Sequence, residues 1–468
     1  MQRLQRLSGL DASFLYLETS TQPLHVCSVL ELDAATIPGG YSFARLRDEL
    51  ALRVQAIPAF REKLANSFLN LDHPVWVEDE DFDVERHLHR VGLPAPGGRE
   101  ELAEICGHLA ALPLDRRHPL WEMWVIEGLG GTDAREGGQL AVLTKVHHAA
   151  VDGVTGANLM SQLCSTEPAA PPPEPVQASG TTNALRIALG GLGRFAARPV
   201  SLATSVLPAT VSTVVDTVRR AAGGRTMANP FAAPPTPFNA SITAHRNVAF
   251  SQLELADVKK VKDRYGVKLN DVVMVLVAGV LRKYLLDRDE LPDASLVAMV
   301  PVSVHDRSDR PGRNQVSGLF SSLHTEIADP AERLMAIAAA NDSAKEHSSA
   351  IGATLLQDWS QFAGPAVFGV AMRLYARTRL TERPVHNLVI SNVPGPQIPL
   401  YFLGAEVEAM YPLGPIFHGA GLNITVLSLN GKLNVGLISC PELLPDLWDM
   451  ADGFASGIAE LLRADRVD

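Results

Sequence analysis

The sequence predicts an α/β fold with mixed sheets, built as two halves joined by a long crossover. Three observations predict it. Strand-like runs alternate with segments of helical apolar spacing on both sides of the chain's middle. Two Pro-rich stretches, TEPAAPPPEPVQASG at 166–180 and NPFAAPPTPFN at 229–239, interrupt that alternation and bracket a piece of different composition. The length, 468 residues, is too great for one compact core, while 46% hydrophobic and 20% charged residues suit ordinary globular interiors. The expected division is a first unit at 1–165, linkers and crossover helices at 166–239, and a second unit at 240–468.

In chain order, HVCSVLEL (25–32) and WEMWVIEGL (121–129) read as strands, and SFARLRDELALRVQAI (42–57) and REELAEICGHLAALPL (99–114) as helices. The apolar run at 140–146 is a mostly buried strand, and VTGANLMSQLC (154–164) a helix. In the second half LADVKKVKDRYG is a helix ended by Gly266, and Asn270 is expected to cap the long apolar helix DVVMVLVAGVLRKYLL. SLVAMVPVSV, QVSGLFSSL and HNLVISNV read as strands, and LNITVLSL and KLNVGLIS as a hairpin turning at Asn430-Gly431. The segment 445–464 closes the chain as a helix.

The net charge of −11 removes most of the case for a nucleic-acid partner, because phosphate backbones are held by clustered Lys and Arg. Four well-separated cysteines form neither a C-x-x-C pair nor a disulfide framework, which suits a reducing cytoplasm. The N-terminus lacks the apolar core of a signal peptide, and no window reads as a transmembrane helix. Residues 184–225 stand apart: Arg186, Arg194, Arg198, Arg219, Arg220 and Arg225 face a single acid, Asp216. On a helical wheel Leu185, Leu189, Leu192 and Phe195 gather opposite the arginines. Such helices either lie on an anionic lipid surface or pack as a structural crossover.

The chemistry centres on TKVHHAAVDGVTG, 144–156. Two histidines, three free positions and Asp-Gly arise by accident in on the order of one chain in several hundred, so the pattern asks for a functional reading. Strand, histidine pair, tight turn and helix together present one imidazole at a cleft. Adjacent residues of a strand project to opposite faces, so only one histidine faces that cleft, and the two cannot easily share a metal ion. A histidine just before a helix N-terminus is favoured in its neutral form, as a general base requires. Asp152 either orients a histidine or caps the helix, the structural role being favoured, and Gly153 permits the turn. No G-x-S-x-G elbow supplies a nucleophile.

HHAAVDG is the H-H-x-x-x-D-G signature of chloramphenicol acetyltransferase-like enzymes and peptide-synthetase condensation domains. Taken with LSGLDASFLYLE, HPLWEMWVIEGL, LNDVVMVLVAG, GRNQVSG and NLVISNVPGP, in that order and spacing, the chain resembles the bacterial wax ester synthase/diacylglycerol acyltransferases over essentially its whole length. The resemblance implies two chloramphenicol acetyltransferase-like domains forming a pseudo-dimer with an interdomain channel. It implies His148 as general base, His147 as its support, and Asp152 and Gly153 as shapers of the loop. Pro119, Leu120 and Trp121, with Asn270 and Asp271, become scaffold motifs. Asn392 becomes a candidate substrate contact as well as a turn former, and Asn423 and Thr425 become candidate oxyanion donors beside backbone N–H groups near Gly153. The implied co-substrate is acyl-CoA, with no metal or further cofactor and with a lipid alcohol as acceptor. The expected location is the cytoplasm, with peripheral attachment to the inner membrane or lipid droplets if the basic crossover helices lie on lipid. Two other readings stay open: the same fold serving another acceptor, and a non-catalytic lipid-binding paralogue.

Overall fold

A computed structural model of the chain describes residues 5–66, 72–131, 138–150, 162–176, 187–189, 191–193, 233–303, 316–348, 373–375 and 378–464. The first half opens with helix α1 (Gly9–Leu17), unforeseen in the sequence. A reciprocal cap fixes its start: the Asp11 N–H donates to Ser8 Oγ at 3.1 Å, and the Ser8 N–H to Asp11 Oδ2 at 3.2 Å. There follow β1 (His25–Asp33), α2 (Phe43–Val54), the hairpin β2 (Glu62–Ala65) and β3 (Val75–Glu78), then β4 (Leu88–Gly92), α3 (Arg99–Ala111), β5 (Trp121–Leu129), β6 (Gln139–His147) and β7 (Cys164–Ser165). Every residue of β6 except Gln139 is buried, because β1 and β5 flank it and both sheet faces are covered.

The second half comprises β8 (Asn247–Glu254), α4 (Leu255–Tyr265), α5 (Leu269–Leu286), β9 (Val297–Ser303), β10 (Val316–Ser322), α6 (Pro330–Ser348), β11 (Leu388–Pro394), β12 (Tyr401–Phe402), β13 (Ala405–Leu413), β14 (Asn423–Leu429), β15 (Lys432–Ser439) and α7 (Leu447–Arg463). Gly266 ends α4 at φ +69°, and Asn430 and Gly431 turn the β14–β15 hairpin with φ of +44° and +78°, as that two-residue turn demands. Asn270 does not cap α5. The helix begins two residues earlier than expected, at Leu269 with Lys268 as its N-cap, and Asp271 in the first turn accepts the Lys268 N–H at 2.9 Å.

Two sheets carry the molecule, with strand orders β4-β5-β6-β1-β13-β12-β7 and β10-β9-β11-β14-β15-β8. The expected division at 165 and 240 therefore needs one correction: β12 and β13, from beyond residue 400, complete the sheet of the first half, with β13 antiparallel to β1. Each half has its own apolar core. A third core, containing Val29, Leu143, Val248, Phe250, Tyr411 and Ile438, fuses them. The first Pro-rich linker is tied down where it passes α2: Arg53 donates to the Ala170 carbonyl at 3.0 Å and Arg61 to that of Val176 at 2.9 Å. Of the basic crossover only 187–189 and 191–193 are described, both helical, with Ile187 buried and Leu189 and Leu192 exposed; the rest of 184–225 lies outside the described residues. Among the described residues no helix is long and apolar enough to cross a membrane.

Candidate active site

The site grows from the register of β1 against β6, which sets His25 directly opposite His147 at the strand ends. His147 is fully buried, whereas His148, first residue of the turn, is half-buried. The Ala149 N–H donates to His147 Nδ1 at 3.0 Å. Nδ1 is thus the acceptor, so the neutral ring carries its proton on Nε2. That nitrogen lies 3.4 Å from Glu18 Oε2, and His25 Nε2 lies 3.2 Å from Glu18 Oε1, electrostatic contacts longer than ideal hydrogen bonds. Burial pushes the His147 imidazole down to about 4, outweighing the pull of Glu18, and lowers His25 as well. Burial alone would raise the Glu18 carboxyl, but its contacts with His147 and His25 hold it well below the usual carboxylate range. At neutral pH the cluster is one carboxylate beside two neutral imidazoles.

Glu18 caps the C-terminal end of α1, and the same helix presents Phe14, whose ring stacks on His148 at 4.0 Å between centroids and 19° between planes. Arg116 anchors the carboxylate: its Nε donates to Oε2 at 3.2 Å, its Nη2 makes a second, shorter bond there, and Nη2 also reaches the Leu15 carbonyl at 2.9 Å. Glu18 and Arg116 also line a cavity of about 320 Å³, bordered by Tyr16, Leu64, Asp72 and Arg373. Segment 18–25 is clamped from the second half, by Arg246 donating to the Thr21 carbonyl at 2.8 Å and by the His418 N–H donating to Gln22 Oε1 at 2.9 Å. The site therefore lies where the halves meet.

The other expected residues fall in three groups. Asp152, Gly153 and the helix read at 154–164 lie outside the described residues, apart from that segment's last three positions, where Cys164 opens β7. Leu120 and Trp121 are buried scaffold: the Leu120 carbonyl accepts the His147 N–H at 3.0 Å, and Trp121 donates from Nε1 to the Phe60 carbonyl at 2.8 Å while stacking on His87. Pro119 sits just before β5, its carbonyl accepting the Trp121 N–H at 2.9 Å. Asp271 anchors a buried chain in which Asn341 Nδ2 donates to its Oδ1 at 2.7 Å and Ser321 Oγ to Asn341 Oδ1 at 2.6 Å. Asn270 Oδ1 accepts from Asn392 Nδ2 at 3.4 Å, joining α5 to β11. Asn423 and Thr425 commit their side chains internally. The Thr425 hydroxyl donates to Asn423 Oδ1 at 2.7 Å, and Asn423 Nδ2 to the Pro415 carbonyl at 3.1 Å. Sequence reasoning missed Phe14, Glu18, His25 and Arg116. The one signal available was the Ser8/Asp11 capping pair, which marks α1 as a helix and so sets Phe14 and Glu18 four residues apart along it.

The two fused α/β halves place the chain in the fold class of condensation domains. The first condensation domain of the CDA synthetase matches with a TM-score of 0.60 over 100% of this chain and 98% of that one, at 16% identity, a likeness of fold alone. Within that class the chain belongs to the wax ester synthase/diacylglycerol acyltransferase family. The family's catalytic domain matches residues 7–273 and its C-terminal domain residues 313–462. A Mycobacterium tuberculosis H37Rv protein provisionally named diacylglycerol O-acyltransferase Rv1760 is 59% identical over 459 residues, 98% of this chain and 90% of that protein. The wax ester synthase/diacylglycerol acyltransferase of Marinobacter aquaeolei VT8 matches with a TM-score of 0.70 at 31% identity, covering 98% of each chain. The protein is an acyltransferase of this family.

Proposed function

We propose that the protein transfers the acyl group of an acyl-CoA to the hydroxyl of a lipid alcohol, with diacylglycerol the principal acceptor and long-chain alcohols secondary ones. His148 is the general base. Its imidazole takes the hydroxyl proton as the alcohol oxygen attacks the thioester carbonyl; the C–S bond then breaks and His148 returns the proton to the leaving thiolate. The acyl group passes directly from sulfur to oxygen, with no acyl-enzyme.

One observation carries the assignment: within a family of acyltransferases, the pair divides into a fully buried His147 and a half-buried His148 stacked on Phe14. A base must reach its substrate, and of the two only His148 has an exposed portion. Asn423 and Thr425 are committed to each other and to the Pro415 carbonyl, and the Ala149 and Ala150 N–H groups to His147, which leaves backbone N–H groups near Gly153 as the candidate oxyanion donors. The exposed Leu189 and Leu192, at the start of the arginine-rich crossover, support work at an anionic membrane or lipid-droplet surface.

Purified protein given palmitoyl-CoA with dioleoylglycerol, with hexadecanol, or with no acceptor tests the substrate assignment, by thiol release and chromatography of the lipid products. The expected order is diacylglycerol, then alcohol, then a background hydrolysis at least about tenfold lower, a gap of about 1.4 kcal/mol in barrier. Release no higher with either alcohol than without one would overturn the substrate assignment and point to another acceptor on the same fold. A stoichiometric copurifying lipid with no turnover would point to a binding protein.

A further inference from the structure

We infer that Glu18 is the positioning residue of the histidine pair, its two carboxylate oxygens fixing the backbone on both sides of His148; this rests on the reading of His148 as the base. One path starts at Oε1, which accepts the Leu24 N–H at 3.3 Å; the Leu24 carbonyl in turn accepts the His148 N–H at 2.8 Å. The other starts at Oε2, 3.4 Å from His147 Nε2, and runs through that ring to Nδ1, which accepts the Ala149 N–H at 3.0 Å. The peptide N–H groups before and after the His148 Cα are thereby both referred to one carboxylate.

The strand itself does not need this carboxylate. His147 is already held by its place opposite His25 and by its N–H bond to the Leu120 carbonyl. What Glu18 adds is a tautomer preference: a carboxylate oxygen 3.4 Å from Nε2 favours the proton on that nitrogen, so Nδ1 stays the acceptor that holds the Ala149 N–H. Arg116, donating twice to Oε2, keeps the carboxylate in place. The same helix delivers Phe14 against the His148 ring, so α1 fixes the base by its face and by its backbone.

Because Glu18 and Arg116 line the cavity of about 320 Å³, a small solute can reach the space a shortened side chain would leave. That permits a test separating orientation from folding. Glu18→Ala and Glu18→Gln are compared with wild type for kcat, for KM toward acyl-CoA, and for thermal unfolding. In Glu18→Ala kcat should fall about 100-fold, the effect expected of a misplaced catalytic group, with KM changing less than about threefold. Formate should restore at least about tenfold of the lost kcat, whereas uncharged formamide of the same shape should not. If Glu18→Ala fails to fold, the near-isosteric Glu18→Gln carries the test and should lose kcat without losing acyl-CoA affinity. A folded variant with wild-type kcat, a loss confined to KM, or equal rescue by formate and formamide would overturn the inference. Wild-type protein inactive in the same assay would instead remove the reading on which it rests.

Discussion

His147 is a neutral ring sealed into protein, and it titrates accordingly. Its imidazole protonates near 4 in the folded chain, through burial, against about 6.5 for an exposed histidine. Between those values the unfolded chain binds a proton that the folded chain refuses. The stability associated with His147 is therefore complete above about pH 6.5 and is lost as pH falls toward 4, by about 3 kcal/mol in all. His386, also lowered by burial to about 4, adds a loss of the same sign. Urea unfolding at pH 7, 5.5 and 4.5 should show this decline, and His147→Gln should flatten part of it; a midpoint constant across the window would contradict the account. The division of the pair into one buried and one half-buried ring was legible in the sequence, because adjacent positions at a strand end face opposite ways. Glu18 and Arg116 were not. Their neighbours come from β6 and from each other across almost a hundred residues, and sheet register, not local spacing, brings them together.

At the scale of elements, local chemistry was legible where it was self-contained. Gly266 and Asn430-Gly431 mark their turns because backbone with positive φ restricts the choice of residue. The start of α5 was misplaced by two positions because Asn270, a good cap by type, is used to hold Asn392 instead, while Asp271 serves the first turn. Helix α6 was missed because its alanine-rich sequence has almost no apolar stripe to betray it. Other close contacts depend on packing between elements. A Cβ on Gly436 of β15 would overlap the Pro412 carbonyl of β13, so this glycine sets how closely the two sheets approach. Gly436→Ala should destabilise the fold by about 1–3 kcal/mol through forced separation of the sheets, measured as a lowered urea midpoint. An unchanged midpoint would show that the sheets do not meet as tightly as described.

For the whole molecule, alternating strands and helices and the two Pro-rich stretches made two α/β halves legible, and the match to a two-half transferase fold agrees. The exchange that joins the halves was not legible. Period-two burial in AEVEAMYPL says that β13 is a strand, but not that it pairs with β1 across almost four hundred residues. That exchange, with the clamps of Arg246 and His418 on segment 18–25, makes the histidine pair a property of the assembled chain. The central claim is acyl transfer through His148. Its most direct test is thiol release from palmitoyl-CoA with diacylglycerol, comparing wild type with His148→Ala of matched thermal unfolding. Release should depend on the acceptor and fall by about 10²–10⁴-fold in the variant, the usual contribution of a general base. A folded His148→Ala protein that keeps most of its turnover would contradict that claim.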